Sequence, residues 1–135
     1  MTTGASGAYS FEMENDGLCV VAVFKGEIST HRYSEFRNDY NEICRRVTES
    51  ETKLLIIDLS ETLYFGSLFI GMIVKLTISA GNQGGKVALC GLSDQLKDLM
   101  KKLLLLERSP NSKVNLSHYA TRELAVAALT SELTS

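Results

Sequence analysis

Concentrated charge is the first thing this sequence lacks. Its 14 Lys and Arg residues are scattered among 16 Asp and Glu, leaving a formal net charge of -2. Nothing in that balance makes the basic surface that dominates nucleic-acid binding. The two local basic pairs, Arg45-Arg46 and Lys101-Lys102, read as the wet sides of helices. Long apolar runs are missing too, and none reaches the roughly 20 residues a membrane-spanning helix needs. Met1 to Ser10 has neither a basic residue nor an apolar core, which is not the pattern of a signal peptide. Cysteine is sparse and odd in number: Cys19, Cys44 and Cys90 share no C-x-x-C spacing. A reducing, cytoplasmic setting is the expectation, with no disulfide framework and no metal site. The sole proline, Pro110, falls between two elements, where its missing amide does least harm.

Catalytic groups are equally scarce. His31 and His118 stand at opposite ends of the chain, and no cysteine has a neighbouring base to lower its pKa. Ser67 is not in a G-x-S-x-G elbow, because the local run is Tyr64-Phe65-Gly66-Ser67-Leu68-Phe69. The glycine-rich run Gly81-Asn82-Gln83-Gly84-Gly85 follows a helix and precedes a strand, the reverse of a phosphate loop. Asp58 ends a strand, as a receiver-type phosphoacceptor would. That chemistry needs a second acidic cluster to hold a magnesium ion, and Lys25-Gly26-Glu27-Ile28 offers one carboxylate. The chain therefore reads as a binding protein that is not an enzyme and needs no cofactor.

What is present is a globular pattern. With hydrophobic residues at 44% and charged residues at 22%, 135 residues suffice for one domain with its own core. Residues 1–8 read as a flexible tail and 9–135 as a single domain. Tyr9, Phe11 and Met13 alternate with polar residues, as in a half-buried strand. Asp16-Gly17 signals a hairpin into the β-branched run Leu18 to Phe24, with Lys25-Gly26-Glu27 leaving the strand. Tyr33, Phe36, Tyr40, Ile43 and Val47 then mark one helix stripe, with Ser29 or Thr30 as its N-cap.

Leu54 to Ile57 is a continuous apolar run, suited to a central strand covered on both faces and ending at Asp58. A loop through Glu61 and Thr62 is expected to follow. Leu68 to Ala80 is apolar almost all round apart from Lys75, which predicts a helix inside the fold. Val87 to Cys90 is another strand. Ser93 caps a helix with stripe Leu96, Leu99, Met100, Leu103 and Leu106. Val114, Leu116 and His118 suggest a short strand, and Thr121 caps a last helix carrying Leu124, Ala128, Leu129 and Leu133. The order β-β-α-β-α-β-α-β-α predicts an α/β fold: a mixed, mostly parallel sheet with an N-terminal β-hairpin and about four helices.

The candidate site is Ser67. A small pair, Gly66-Ser67, follows the central strand and opens the apolar helix, and ligands of open α/β sheets gather at the carboxyl ends of strands. A helix N-terminus favours negative charge, so a phosphate there is tolerated. It would also place about −1.5 to −2 charges beside the apolar Leu63, Tyr64, Phe65 and Leu68 and repel a partner resting on them. Ser67 fits the plain role of an N-cap equally well.

The chain resembles a STAS domain, the fold of bacterial anti-sigma-factor antagonists. The resemblance rests on Gly26-Glu27-Ile28, Asp58-Leu59-Ser60, Ser67 with Ile70-Gly71, and Val87 to Ser93, and it spans roughly Tyr9 to Leu133. It implies a switch. The serine matching Ser67 is phosphorylated by a partner kinase that is also an anti-sigma factor, the unphosphorylated domain binds that partner, and a phosphatase resets it. Gly66 and Ser29 stand where the family carries acids, and Phe69 stands where it carries glycine. The site is thus less anionic and bulkier than the family pattern. The expected contact surface comprises Gly26, Ser29, Thr30, Asp58, Ser60, Leu63, Tyr64, Phe65, Gly66, Leu68 and Phe69 around Ser67. A constitutive adapter using the same surface without phosphorylation is the alternative.

Overall fold

The structure, a computed structural model, describes residues 9–28, 33–102 and 116–131. The expected tail 1–8, the Ser29 and Thr30 cap, and Leu103, Leu106, Pro110, Val114 and Leu133 lie outside them. Strands β1 (Tyr9–Asp16) and β2 (Cys19–Ile28) are followed by α1 (Tyr33–Glu49), β3 (Leu54–Phe65) and α2 (Ser67–Asn82). Then come β4 (Lys86–Cys90), α3 (Asp94–Lys102), β5 (Ser117–Tyr119) and α4 (Arg122–Ser131). The element order is the one the sequence predicts.

The five strands lie side by side in chain order, β1-β2-β3-β4-β5. The first pair is antiparallel and the other three are parallel. The opening hairpin turns on Gly17 and Leu18, with Asp16 paired to Cys19 and Gly17 at φ +61°. Only glycine takes that left-handed conformation without a steric cost.

Strand order decides where the helices go. Each parallel step advances in the same direction, and crossovers keep one hand, so α1, α2 and α3 must share a face. That face holds the larger core. Val20, Ala22 and Phe24 of β2 meet Leu55, Ile57 and Leu59 of β3, beneath Ile43, Phe69, Ile73, Leu96 and Met100 from the helices. α4 follows the last strand and is free to cover the other face. There Ala125 and Leu129 pack on Val21, Val23, Leu54, Ile56 and Ala88. Coverage on both faces is why Leu54 to Ile57 of β3 and Val87 to Cys90 of β4 are unbroken apolar runs.

Two local expectations need correction. The strand does not stop at Asp58: β3 runs 12 residues from Leu54 to Phe65, and the expected loop at Glu61 and Thr62 is part of it. The cause is β2, whose end also stays extended and pairs Gly26 with Thr62, Glu27 with Tyr64 and Ile28 with Phe65. Register shifts after Val23 and Gly26 interrupt the ladder, and the Thr62 hydroxyl donates to the Phe24 carbonyl at 2.7 Å across that irregularity. The broken alternation concealed the strand. Secondly, α2 is not enclosed: Gly71, Lys75, Ile78 and Asn82 form an exposed stripe along it.

Candidate functional site

The end of β3 and the start of α2 are positioned by an aromatic stack beneath them. Phe65 and Phe69 are fully buried, with ring centroids 5.2 Å apart. Phe69 also meets Phe24 edge-on at 5.0 Å, and Phe24 meets Phe11 at 4.9 Å. Both phenylalanines, expected on the contact surface, therefore lie in the core and hold that surface from below. Phe69 fills space between sheet and helix that a glycine would leave empty.

Just before Phe65, at the end of β3, Leu63 is 72% exposed and Tyr64 is 55% exposed. The parallel pairing brings the half-exposed Gly26 and the exposed Glu27 alongside them. Leu68 is half-buried at the same end. Two large apolar side chains facing water beside a helix start are costly to leave uncovered, since each exposed apolar Å² forgoes about 25 cal/mol of burial.

Ser67 is the first residue of α2, and its N-cap is Gly66, in extended backbone at φ −108° and ψ −173°. The Gly66 carbonyl accepts from the Ile70 amide at 3.2 Å, the first bond of the helix. Ser67 thus sits one residue inside the helix and is not the N-cap. Among the described residues no side-chain hydrogen bond caps this end, and no acid lies in the first turn. The first-turn amides keep their partial positive charge, a setting that favours an anion. Gly66 itself is buried.

Asp58 and Ser60 belong to a different place. Along β3 they share the face of Leu54 and Ile56, so the sheet separates them from α2. Asp58 is only 6% exposed. Its Oδ1 accepts from the Ser60 amide at 3.0 Å and the Ser60 hydroxyl at 2.7 Å. Its Oδ2 accepts from Arg122 Nε and Nη2, both at 3.1 Å. Arg122 Nη1 continues to Glu14 Oε1 at 2.7 Å. Burial works to raise the Asp58 carboxyl, but the Ser60 and Arg122 donors outweigh it and hold it below the usual aspartate range. Arg122, at the first position of α4, is the residue that sequence reading missed. It stands 64 positions from Asp58, and no local pattern links the two.

Two of the described thiols, Cys90 and Cys19, are buried and unreactive by environment. Burial, with Asp58 adding to it, pushes Cys90 up to about 12. Burial also raises Cys19. Among the described residues no helix is long and apolar enough to cross a membrane. Of the expected contact residues, Leu63, Tyr64, Gly66 and Leu68 lie along the passage from β3 into α2, and Gly26 pairs with Thr62 beside it. The structure sets Asp58 and Ser60 apart, and Ser29 and Thr30 lie outside the described residues.

Comparison with solved structures gives the same architecture. An anti-sigma-factor antagonist (STAS) domain protein from Planctomyces limnophilus superposes with a TM-score of 0.73 at 18% identity, covering 89% of this chain and 97% of that one. An anti-sigma factor antagonist from Mycobacterium paratuberculosis gives 0.74 at 16%, covering 95% and 99%. The Bacillus cell fate determinant SpoIIAA in its phosphorylated form gives 0.62 at 17%, covering 88% and 98%. A sequence comparison with curated proteins finds no match. The family model for the STAS domain matches residues 10–118, and the chain belongs to that family.

Proposed function

We propose that this protein is a non-catalytic regulator of the anti-sigma-factor antagonist kind. It binds a signalling partner through the surface where β3 enters α2, and phosphorylation at Ser67 releases that partner. The observation that carries the reading is the exposed pair Leu63 and Tyr64 beside a helix start that is neither side-chain capped nor acidic. A partner covering the pair gains apolar burial, and a phosphate at Ser67 adds about −1.5 to −2 charges at its edge. The uncapped amides favour that charge, so the modification changes the surface without melting the helix. The phosphorylated form of a similar structure, SpoIIAA, supports the same reading. The partner it implies is a kinase that is also an anti-sigma factor, reset by a phosphatase.

The test compares wild type, Ser67→Ala and Ser67→Asp as bait in extracts of the native host, with retained proteins identified by mass spectrometry. The aspartate variant is expected to lose the partner that the other two retain. Equal retention by all three removes the switch. A constitutive adapter is the second reading, favoured by the absence of any acid in the first turn of α2. Intact-mass measurement of the native protein separates them, because a phosphorylated form occurs only under the switch.

A further inference from the structure

Among the described residues, the exposed stripes of α2 and α4 carry opposite charge. Lys75 is the one charged residue in the 16 of α2. It lies in the exposed stripe with Gly71, Ile78 and Asn82, and Ile78 is 52% exposed. Beside the stripe a shallow groove of about 380 Å³ runs against Tyr40 of α1. No ion pair or hydrogen bond engages Lys75 among the described residues. On the opposite face of the sheet, α4 exposes Glu123, Leu124 and Ala127, with Leu124 at 54%. Among the described residues no ion pair engages Glu123, and the neighbouring Arg122 pairs with Glu14 and Asp58 instead. Each patch is therefore one unsatisfied charge beside one exposed large aliphatic residue, with a small residue (Gly71 or Ala127) to admit close approach.

We infer that a second copy of this chain occupies the α2 face, presenting α4 so that Glu123 meets Lys75 and Leu124 meets Ile78. Pairing of like faces is disfavoured, since it brings two lysines, or two glutamates, into one contact without a counter-charge. The two patches lie on opposite faces of one sheet, so the contact is head to tail and propagates instead of closing as a twofold dimer. It leaves the Leu63 and Tyr64 end free: Ile78 stands about 16 Å along the helix from Ser67 at 1.5 Å per residue. The inference does not depend on the Ser67 switch.

The experiment is sedimentation of the full chain across a concentration series. One helix-on-helix contact is small, so assembly belongs between about 10 μM and about 1 mM. The weight-average mass is expected to rise past that of a dimer and to fall again in about 0.5 M salt. Lys75→Glu and Glu123→Lys are each expected to restore the monomer, and the double reversal to recover assembly. Ile78→Ser and Leu124→Ser are also expected to abolish it. All of these positions face solvent, and circular dichroism verifies folding of each variant. A monomer at every concentration, a mass that stops at the dimer, indifference to either charge reversal, or no recovery in the double variant overturns the inference. Partner capture through Ser67 is unaffected by any of these outcomes.

Discussion

Asp58 shows how a single residue can be placed by the sequence and explained only by the fold. Its carboxylate is nearly enclosed, and Arg122 is the cation that makes that tolerable. Arg122→Met removes the cation and leaves the carboxylate held by Ser60 alone, at a cost of about 2–3 kcal/mol, since Arg122 is partly exposed. Urea unfolding at neutral pH measures it. The pH dependence has a definite sign. Because the folded-state pKa is lowered, the ion pair contributes fully above the unfolded aspartate value of about 3.9 and fades as pH falls through the folded value. The wild type and Arg122→Met curves should accordingly begin to converge below about pH 4 and meet once pH has fallen below the folded value. Gly91 is constrained from the same side. It holds φ +78°, and a Cβ there would stand 2.6 Å from the Ser60 backbone. Gly91→Ala is expected to destabilise by about 1–3 kcal/mol, read from the same unfolding curves. The thiols follow burial: Cys19 and Cys90 should react with a thiol reagent only on unfolding, while the half-buried Cys44 reacts in the native protein.

At the scale of elements, the caps of α3 and α4 were legible and the strand extension was not. Ser93 and Thr121 accept from the amides of Leu96 and Leu124, both at 3.2 Å, as their position before an apolar stripe predicts. A cap is a contact between residues three apart, so a short window contains it. The second half of β3 depends on β2, across a register that shifts twice. Its buried residues, Leu59, Thr62 and Phe65, recur every third position, which matches neither a flat strand nor a helix stripe. Thr62→Val tests the patch at that irregularity: loss of its bond to the Phe24 carbonyl should cost about 1 kcal/mol. Amide exchange should quicken between Gly26 and Ile28 if the extension is held as described, and unchanged exchange there would argue that Thr62 is not what holds it.

For the whole molecule, the two faces of the sheet divide the work. The α1–α3 face carries the larger core, while the α4 face holds the Asp58 and Arg122 pair. A change at Ser67 should therefore leave global stability nearly untouched. Ser67→Asp places a carboxylate at an uncapped helix start, so Tm is expected to shift by no more than a few degrees, upward if at all. A large loss of Tm with the loss of partner binding would mean that the surface was lost through unfolding.

Element order, fold class and the placement of Ser67 at a helix start were determined by the sequence alone. Each follows from periodicity and caps, which are properties of neighbours along the chain. The tertiary structure decided which face each residue serves. It moved Asp58 and Ser60 away from Ser67, took Phe65 and Phe69 inside, and turned Lys75 and Ile78 outward from a helix that reads as buried. Sidedness of this kind depends on which helix covers which face, and that is set by crossover hand and strand order, not by any local run of residues.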